Sequence, residues 1–536
     1  MEQVSGKYPW WETGVIYQVY PRSFQDSNDD GIGDLKGIRA RLPYLEDLGI
    51  SAIWISPIYP SPMVDFGYDV SDYTDIHPMF GAMQDFLDLT EEIHQRGMKV
   101  ILDFVPNHTS SQHPWFLQSK SRRDNPKRDW YIWSDPKPDG SPPNNWVSFF
   151  GGSAWEWDQQ TGQYYLHLFA KEQPDLNWRN PDVVMNMLNV LRFWLNRGVD
   201  GFRVDVVWLL IKDALLRDDT PNPGWMPARP LIESTLHDRT ANQPEVHHII
   251  KKMRAVIDEY DERVIIGEIY LPYQELMAYY GEHFDECHLP FNFGLLSCPF
   301  RADAIASVVN EYEKYLPRDA WPNWVLGNHD QPRIASTQRA GENIRLAQML
   351  LLTLRGTPTM YYGDEIGMVN GSIPPDKYQD PQALNEPGIA FSRDNVRTPM
   401  QWDNSPYAGF STVEPWLPVN RDYARRNVAA QRQEPNSLFQ FVKELLALRA
   451  STVALNHGKY VSVPHGCEDV IAYLRVQGAV KLCIALNFSD EEKFVNLSSV
   501  GERGRAMLST EMDRHGDVTL ERLKLRPHEG LLIQVL

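Results

Sequence analysis

Residues 180–210 read NPDVVMNMLNVLRFWLNRGVDGFRVDVVWLL. The first part carries a helical period. Val184, Met187, Leu188, Leu191, Trp194 and Leu195 fall on one stripe, as in a helix packed against a sheet. Asn180 suits the N-cap, Pro181 the first helical position, and Gly198 the C-cap. The second part, GVDGFRVDVVWLL from 198 to 210, reads as a buried strand, since Phe202, Val204, Val206, Val207, Leu209 and Leu210 are apolar. Arg203 and Asp205 interrupt it. Side chains two apart on a strand share a face, so a cation and a carboxylate point the same way out of an apolar setting. Burying charge is costly unless the charge is paired or used.

Working outward, the same alternation of strand and helix recurs. Short apolar runs occur at 15–20, 52–58, 99–105, 201–207, 264–270, 287–293, 324–330 and 357–363, with helical patterns between them. DLKGIRARLPYLEDLG, MQDFLDLTEEIHQRG, PEVHHIIKKMRAVIDEY, ENIRLAQMLLLTLRG and SLFQFVKELLALRAS are the clearest of these. Eight strands with intervening helices predict an α/β fold, a closed (β/α)8 TIM barrel. An open doubly wound sheet is disfavoured, because no glycine-rich phosphate loop follows the first strand.

Some 70 residues rich in Trp, Pro, Asn and Gly separate the third strand from the next helix, about five times the length of an ordinary long loop. They read as an inserted domain. A second insertion, 365–435, follows the eighth strand. Beyond residue 453 the period becomes strand-like, which predicts an antiparallel C-terminal domain. The expected organisation is 1–104 and 176–452 for the barrel, 105–175 for the insertion and 453–536 for the C-terminal domain.

At 536 residues the chain exceeds the size of a single core. The net charge of −19, from 71 acidic and 52 basic residues, argues against nucleic acid and suits a neutral ligand. Cys287, Cys298, Cys467 and Cys483 are far apart with no metal or redox spacing, consistent with reduced thiols and a cytoplasmic location. The N-terminal MEQVSGKYPWWETG has neither the basic nor the apolar region of a signal peptide, and AQMLLLTL is too short to span a bilayer.

In a barrel enzyme chemistry gathers at the C-terminal ends of the strands. Those ends carry Asp103 and His108, Arg203 and Asp205, Glu268, and His329 and Asp330. One acid there is ordinarily a helix cap; four strands each delivering one point to a site. Glycosidic bond cleavage wants this set: one ionised carboxylate as nucleophile and one protonated acid, about 5–5.5 Å apart in a retaining enzyme. Arg203 favours an ionised Asp205, apolar IIGEIY favours a protonated Glu268, and Asp330 is placed to hold sugar hydroxyls. No metal or organic cofactor is needed for that chemistry.

GFRVD, IIGE, LGNHD, DFVPNH and a GYD after the second strand resemble, in combination and order, the motif set of the α-amylase superfamily of glycoside hydrolases. RTPMQW (397–402) and DFGYDVSDY (65–73) are similar to the α-glucosidase and oligo-1,6-glucosidase branch. The resemblance implies a catalytic barrel, an inserted B domain and a C-terminal β-sandwich. It implies Asp205 as nucleophile, Glu268 as acid/base and Asp330 as transition-state stabiliser. Tyr68, His108, Arg203 and His329 would line the subsite for the non-reducing glucose. Asp65 and Arg397 would form the pair that closes it, making the enzyme exo-acting on short α-glucosides, and Phe150 and Phe169 would be its aromatic wall.

DSNDDGIGD (26–34) places oxygen donors at Asp26, Asn28, Asp30, the Ile32 carbonyl and Asp34, with Gly31 at the turn, like the first two-thirds of an EF-hand loop. The closing acidic residue is absent, and Gly37 stands in its place. A polar turn is the plain alternative. The α-glucosidase branch carries a structural Ca2+ or Mg2+ in this loop, so the resemblance implies such a cation here. Val206, directly after the nucleophile, resembles enzymes preferring α-1,6 linkages. The loop 217–242 differs from common branch members, leaving sucrose hydrolysis, transglucosylation and trehalose synthase-type transfer open. A non-catalytic transporter subunit of similar fold is the rival of another class; such chains lack the acids that are present here.

Overall fold

The computed structural model describes residues 8–336, 339–389 and 391–536; the first seven residues of the N-terminal stretch lie outside them. Eight parallel strands form the barrel wall: β1 Ile16–Val19, β2 Ala52–Ile55, β3 Lys99–Phe104, β4 Gly201–Val204, β5 Val264–Gly267, β6 Leu289–Pro290, β7 Asn323–Val325 and β8 Thr357–Tyr361. Consecutive strands pair from β1 to β6, β7 pairs with β8, and β8 returns to β1 with Ile16 opposite Thr359. A parallel bridge between Asn292 and Trp324 links the β6 and β7 edges and closes the ring. Gly201 is needed where β4 meets β5: a Cβ there would lie 2.4 Å from Val264 Cγ1 and 2.6 Å from its carbonyl oxygen.

The helix ahead of β4 runs Pro181–Leu195, and Asn180 caps it by accepting from the Asp182 N–H. Met187, Leu191 and Trp194 are fully buried, Val184 and Leu195 nearly so and Leu188 half-buried, so the stripe legible in the sequence lies on the buried face of the helix. Two expectations need correction. The pattern DLKGIRARLPYLEDLG is two helices, Leu35–Ala40 and Leu42–Leu48, because Pro43 cannot sit inside one. The strand in GVDGFRVDVVWLL stops at Val204; Val206 takes left-handed angles (φ 37, ψ 43), and Val207–Leu209 form a 3-10 turn. An apolar run buried on all sides has no period to tell strand from turn.

Between β3 and β4 lies a three-stranded antiparallel sheet of Trp133–Ser134, Trp155–Asp158 and Gln163–Leu166. The chain ends in a six-stranded antiparallel sheet from Lys459 to Val535, with Lys493–Val495 paired to Leu523–Leu525 beside it. In the strand Val470–Gln477 alternate residues serve two cores. Ile471 and Tyr473 face the barrel, while Val470, Ala472 and Leu474 fill a separate core with Leu497, Leu520 and Ile533. Buried Arg475 locks the junction by donating to the carbonyls of Thr353 and Leu354, each at 2.7 Å. All four cysteines are free. Among the described residues no helix is long and apolar enough to cross a membrane.

Just past β8, Glu365 is fully buried and accepts from Tyr17 at 2.8 Å and Tyr44 at 2.5 Å, while its Oε2 has no partner. Burial pushes this carboxyl up from its ordinary 4.5 to about 7. The folded chain therefore holds a proton that the unfolded chain releases. The group's stabilisation is complete below pH 4.5, declines as pH rises, and about 3 kcal/mol is gone above pH 7. Glu365→Gln should lose less stability than the parent between pH 5 and pH 8. Urea unfolding midpoints at the two pH values check this, and parallel declines in both proteins would refute it.

Candidate active site

The centre of the site is one guanidinium. Arg203, 1% exposed on β4, donates from Nη1 to Asp103 at 2.7 Å and Asp205 at 2.6 Å, and its Nη2 lies 2.8 Å from Glu268 Oε2. Three neighbouring strands thus deliver three carboxylates to one cation. Asp103 is held from its other side by Trp54 Nε1 and the Tyr68 hydroxyl, both at 3.1 Å. Glu268 also accepts the Val206 N–H at 2.9 Å. The left-handed Val206 supplies that bond; a β-branched residue in this conformation is strained by about 1–3 kcal/mol.

Arg203 favours an ionised Asp205 as expected, but with three carboxylates on one cation its pull does not set the balance. Burial, reinforced by Glu268 and Asp103, pushes the Asp205 carboxyl up against the pull of Arg203. Burial also raises Glu268 and lifts Asp103 to about 6. Burial and the mutual repulsion of the acids thus favour protonated carboxyls around Arg203.

Asp330 has the opposite surroundings. Arg397 donates to it at 2.8 Å, Arg393 lies 3.4 Å away, and His329 Nε2 is 3.1 Å from its second oxygen. Burial works to raise this carboxyl, but His329, Arg397, Arg393 and Arg203 outweigh it and hold it well below the usual carboxylate range. His329 stacks on Tyr68 with the rings 3° from parallel, and burial lowers its imidazole pKa against the pull of Asp330. Burial likewise lowers His108 to about 4.

A cavity of about 170 Å3 opens between these groups, small beside the roughly 300–1,000 Å3 of a typical ligand pocket. Asp205, Glu268 and Asp330 line it, as do Asp65, Tyr68, His108, Phe150, Phe169 and His329. Arg203 and Arg397 stand behind the wall, touching the carboxylates rather than the cavity. The closing pair is not Asp65 with Arg397. Arg393 makes that contact, at 2.8 Å from Asp65, and is itself held by Asp380 at 2.7 Å, while Arg397 donates from Nη2 to Asp330 and from Nε to the His329 carbonyl. Arg393 and Arg397 flank one 3-10 turn, and only the return path of that loop decides which reaches Asp65.

Residues 18–458 match the family described as Alpha amylase, catalytic domain. The chain belongs to this family. It is 42% identical over 502 residues to a probable α-glucosidase of Rhizobium meliloti (strain 1021), covering 90% of each chain. It is 38% identical over 564 residues to an oligo-1,6-glucosidase of Parageobacillus thermoglucosidasius, covering 98% of this chain and 99% of the relative. The fold is similar to the crystal structure of an α-glucosyl transfer enzyme, XgtA, with a TM-score of 0.92, 37% identity, and 99% and 100% of the two chains covered.

Several wall residues of this α-amylase-family site carry no motif signal. Phe149 stacks on Phe169 at 5.1 Å, Tyr270 follows Glu268 by two, Trp208 comes from the 3-10 turn after β4, Gln382 from the short helix Pro381–Asn385, and Gln331 from the segment after β7. Alternation after Glu268 could have marked Tyr270; nothing in the sequence marks the other four. The loop 26–34 is stitched internally. Asp26 accepts the N–H groups of Asn28, Asp29 and Gly31 and the Ser411 hydroxyl, and Asp34 caps the following helix through Gly37. Among the described residues no three His, Cys, Asp or Glu side chains form a group able to hold a metal ion. A cation would have to draw Asp26, Asn28, Asp30, the Ile32 carbonyl and Asp34 closer together.

Proposed function

We propose that this protein is a retaining, exo-acting α-glucosidase that removes terminal glucose from short α-glucosides. One observation carries the reading: Asp205 and Glu268 meet across a single guanidinium at the edge of a one-sugar cavity. Two carboxyl groups that share one guanidinium suit double displacement, whereas an inverting pair stands about 6.5–9.5 Å apart to admit a water. In the first step Glu268, its protonated form favoured by burial, gives its proton to the glycosidic oxygen, and the ionised Asp205 attacks the anomeric carbon. In the second, Glu268 takes a proton from water, which displaces Asp205. Asp330, held anionic by its arginines, binds hydroxyls of the flattened ring and offsets its positive charge. The Asp65–Arg393 pair closes the far end, which favours a non-reducing terminus over an internal unit.

Likeness to an α-glucosyl transfer enzyme supports transfer to sugar acceptors as a side reaction of the same intermediate. We further infer that the free thiols belong to a reducing, cytoplasmic setting and that loop 26–34 takes a structural Ca2+ or Mg2+, on the order of its oxygen donors.

Asp205→Asn and Glu268→Gln should each lower hydrolysis of p-nitrophenyl α-glucoside at least about a thousandfold with the thermal transition nearly unchanged. Near-native turnover in either would refute the roles, and a parent protein that releases no nitrophenol would favour the binding-subunit reading. Val206→Thr should move the isomaltose-to-maltose ratio toward maltose by a factor consistent with about 1–3 kcal/mol; an unchanged ratio removes Val206 from specificity. Chelator should lower the melting temperature and Ca2+ or Mg2+ restore it, a cation at a hundred times its Kd being worth about 2.7 kcal/mol. A midpoint indifferent to both would retire the cation.

A further inference from the structure

Lys212, three residues beyond the turn that follows β4, is 1% exposed, a rare place for a lysine. Its Nζ lies 2.6 Å from Asp175 Oδ2 and donates to Asn107 Oδ1 at 2.7 Å. Asp175, fully buried, also accepts the Leu168 N–H at 3.0 Å. None of these three side chains lines the cavity. Yet Asn107 Nδ2 is 3.2 Å from His108 Nδ1, and His108 does line it.

On the cavity side the contacts of His108 conflict. Its Nε2 is 3.2 Å from the Tyr68 carbonyl, which calls for a proton on that nitrogen. It is also 3.1 Å from Gln173 Nε2, which calls for a lone pair. Gln173 cannot turn over, because its Oε1 accepts the Ala170 N–H at 3.0 Å and its Nε2 donates to Asp65 at 3.2 Å. The far side of the ring therefore decides. An ammonium has only donors, so Lys212 accepts nothing and must face the Asn107 oxygen. That fixes the amide with its nitrogen toward His108, where it can only donate.

We infer that Lys212 is a positioning residue: by orienting the Asn107 amide it confines neutral His108 to the tautomer with the proton on Nε2, presenting a hydrogen-bond donor to a sugar hydroxyl in the cavity. Asp175 supplies the countercharge that lets the ammonium remain buried. The donor role at the sugar rests on the α-glucosidase reading; the tautomer does not.

The test uses the full-length protein with 15N-labelled histidine, the His108 signals being assigned by their loss in His108→Asn. The parent should show an unprotonated Nδ1 and a protonated Nε2. Asn107→Asp keeps an oxygen toward Lys212 and turns the other toward His108, so the proton should move to Nδ1. The KM for p-nitrophenyl α-glucoside should rise about tenfold, the worth of one lost hydrogen bond, with a smaller change in kcat. Lys212→Met combined with Asp175→Asn leaves no unpaired charge and frees the amide, so both tautomers should appear. A protonated Nδ1 in the parent, or an Nε2 tautomer kept in both variants, would overturn the inference. A tautomer switch with unchanged KM would remove the donor role at the sugar. A parent that shows the Nε2 tautomer but cleaves no α-glucoside would count against the enzymatic reading alone.

Discussion

Everything at the mouth of the barrel depends on how Arg203 is shared. One buried guanidinium faces Asp103, Asp205 and Glu268, so the cluster holds fewer positive charges than acidic groups. Burying that imbalance fully ionised would be prohibitive. The cluster answers by favouring protonated carboxyls, and a retaining glycosidase requires one protonated carboxyl for its leaving group.

Asp330 shows the complementary design a short distance away. Two arginines and His329 surround a single carboxylate, and their combined field overcomes burial. Two neighbouring environments thus drive carboxyl groups in opposite directions, the pattern that separates acid from anion in one pocket. Arg393 ties the halves together, bridging Asp65, Asp380 and Asp330 with a guanidinium that also lies over the Phe150 ring at 4.8 Å. The cavity wall is a connected set of ion pairs and aromatic faces.

Rigidity here comes from behind the wall. Trp54 and Tyr68 hold Asp103, the strained backbone of Val206 holds Glu268, and Lys212 with Asn107 holds His108. Such supports keep each group in place before a sugar arrives, which is where electrostatic stabilisation of a transition state gains most. A glycoside hydrolase of the α-amylase family needs this because the charge it must stabilise is short-lived and the groups have no time to reorganise.

The sequence by itself determined the barrel and the acids on its rim. Helical and strand periods are local, so the stripe from Val184 to Leu195 and the strand ends carrying Asp205, Glu268 and Asp330 could be read from neighbours a few residues apart. Tertiary structure alone decided where β4 ends, that Val206 turns left-handed, that Arg203 serves three acids instead of one, and that Arg393 rather than Arg397 reaches Asp65 across 328 residues. The physical reason is the same in each case. The state of a buried charge depends on the full set of groups around it, and that set is gathered by loops whose paths no local period records.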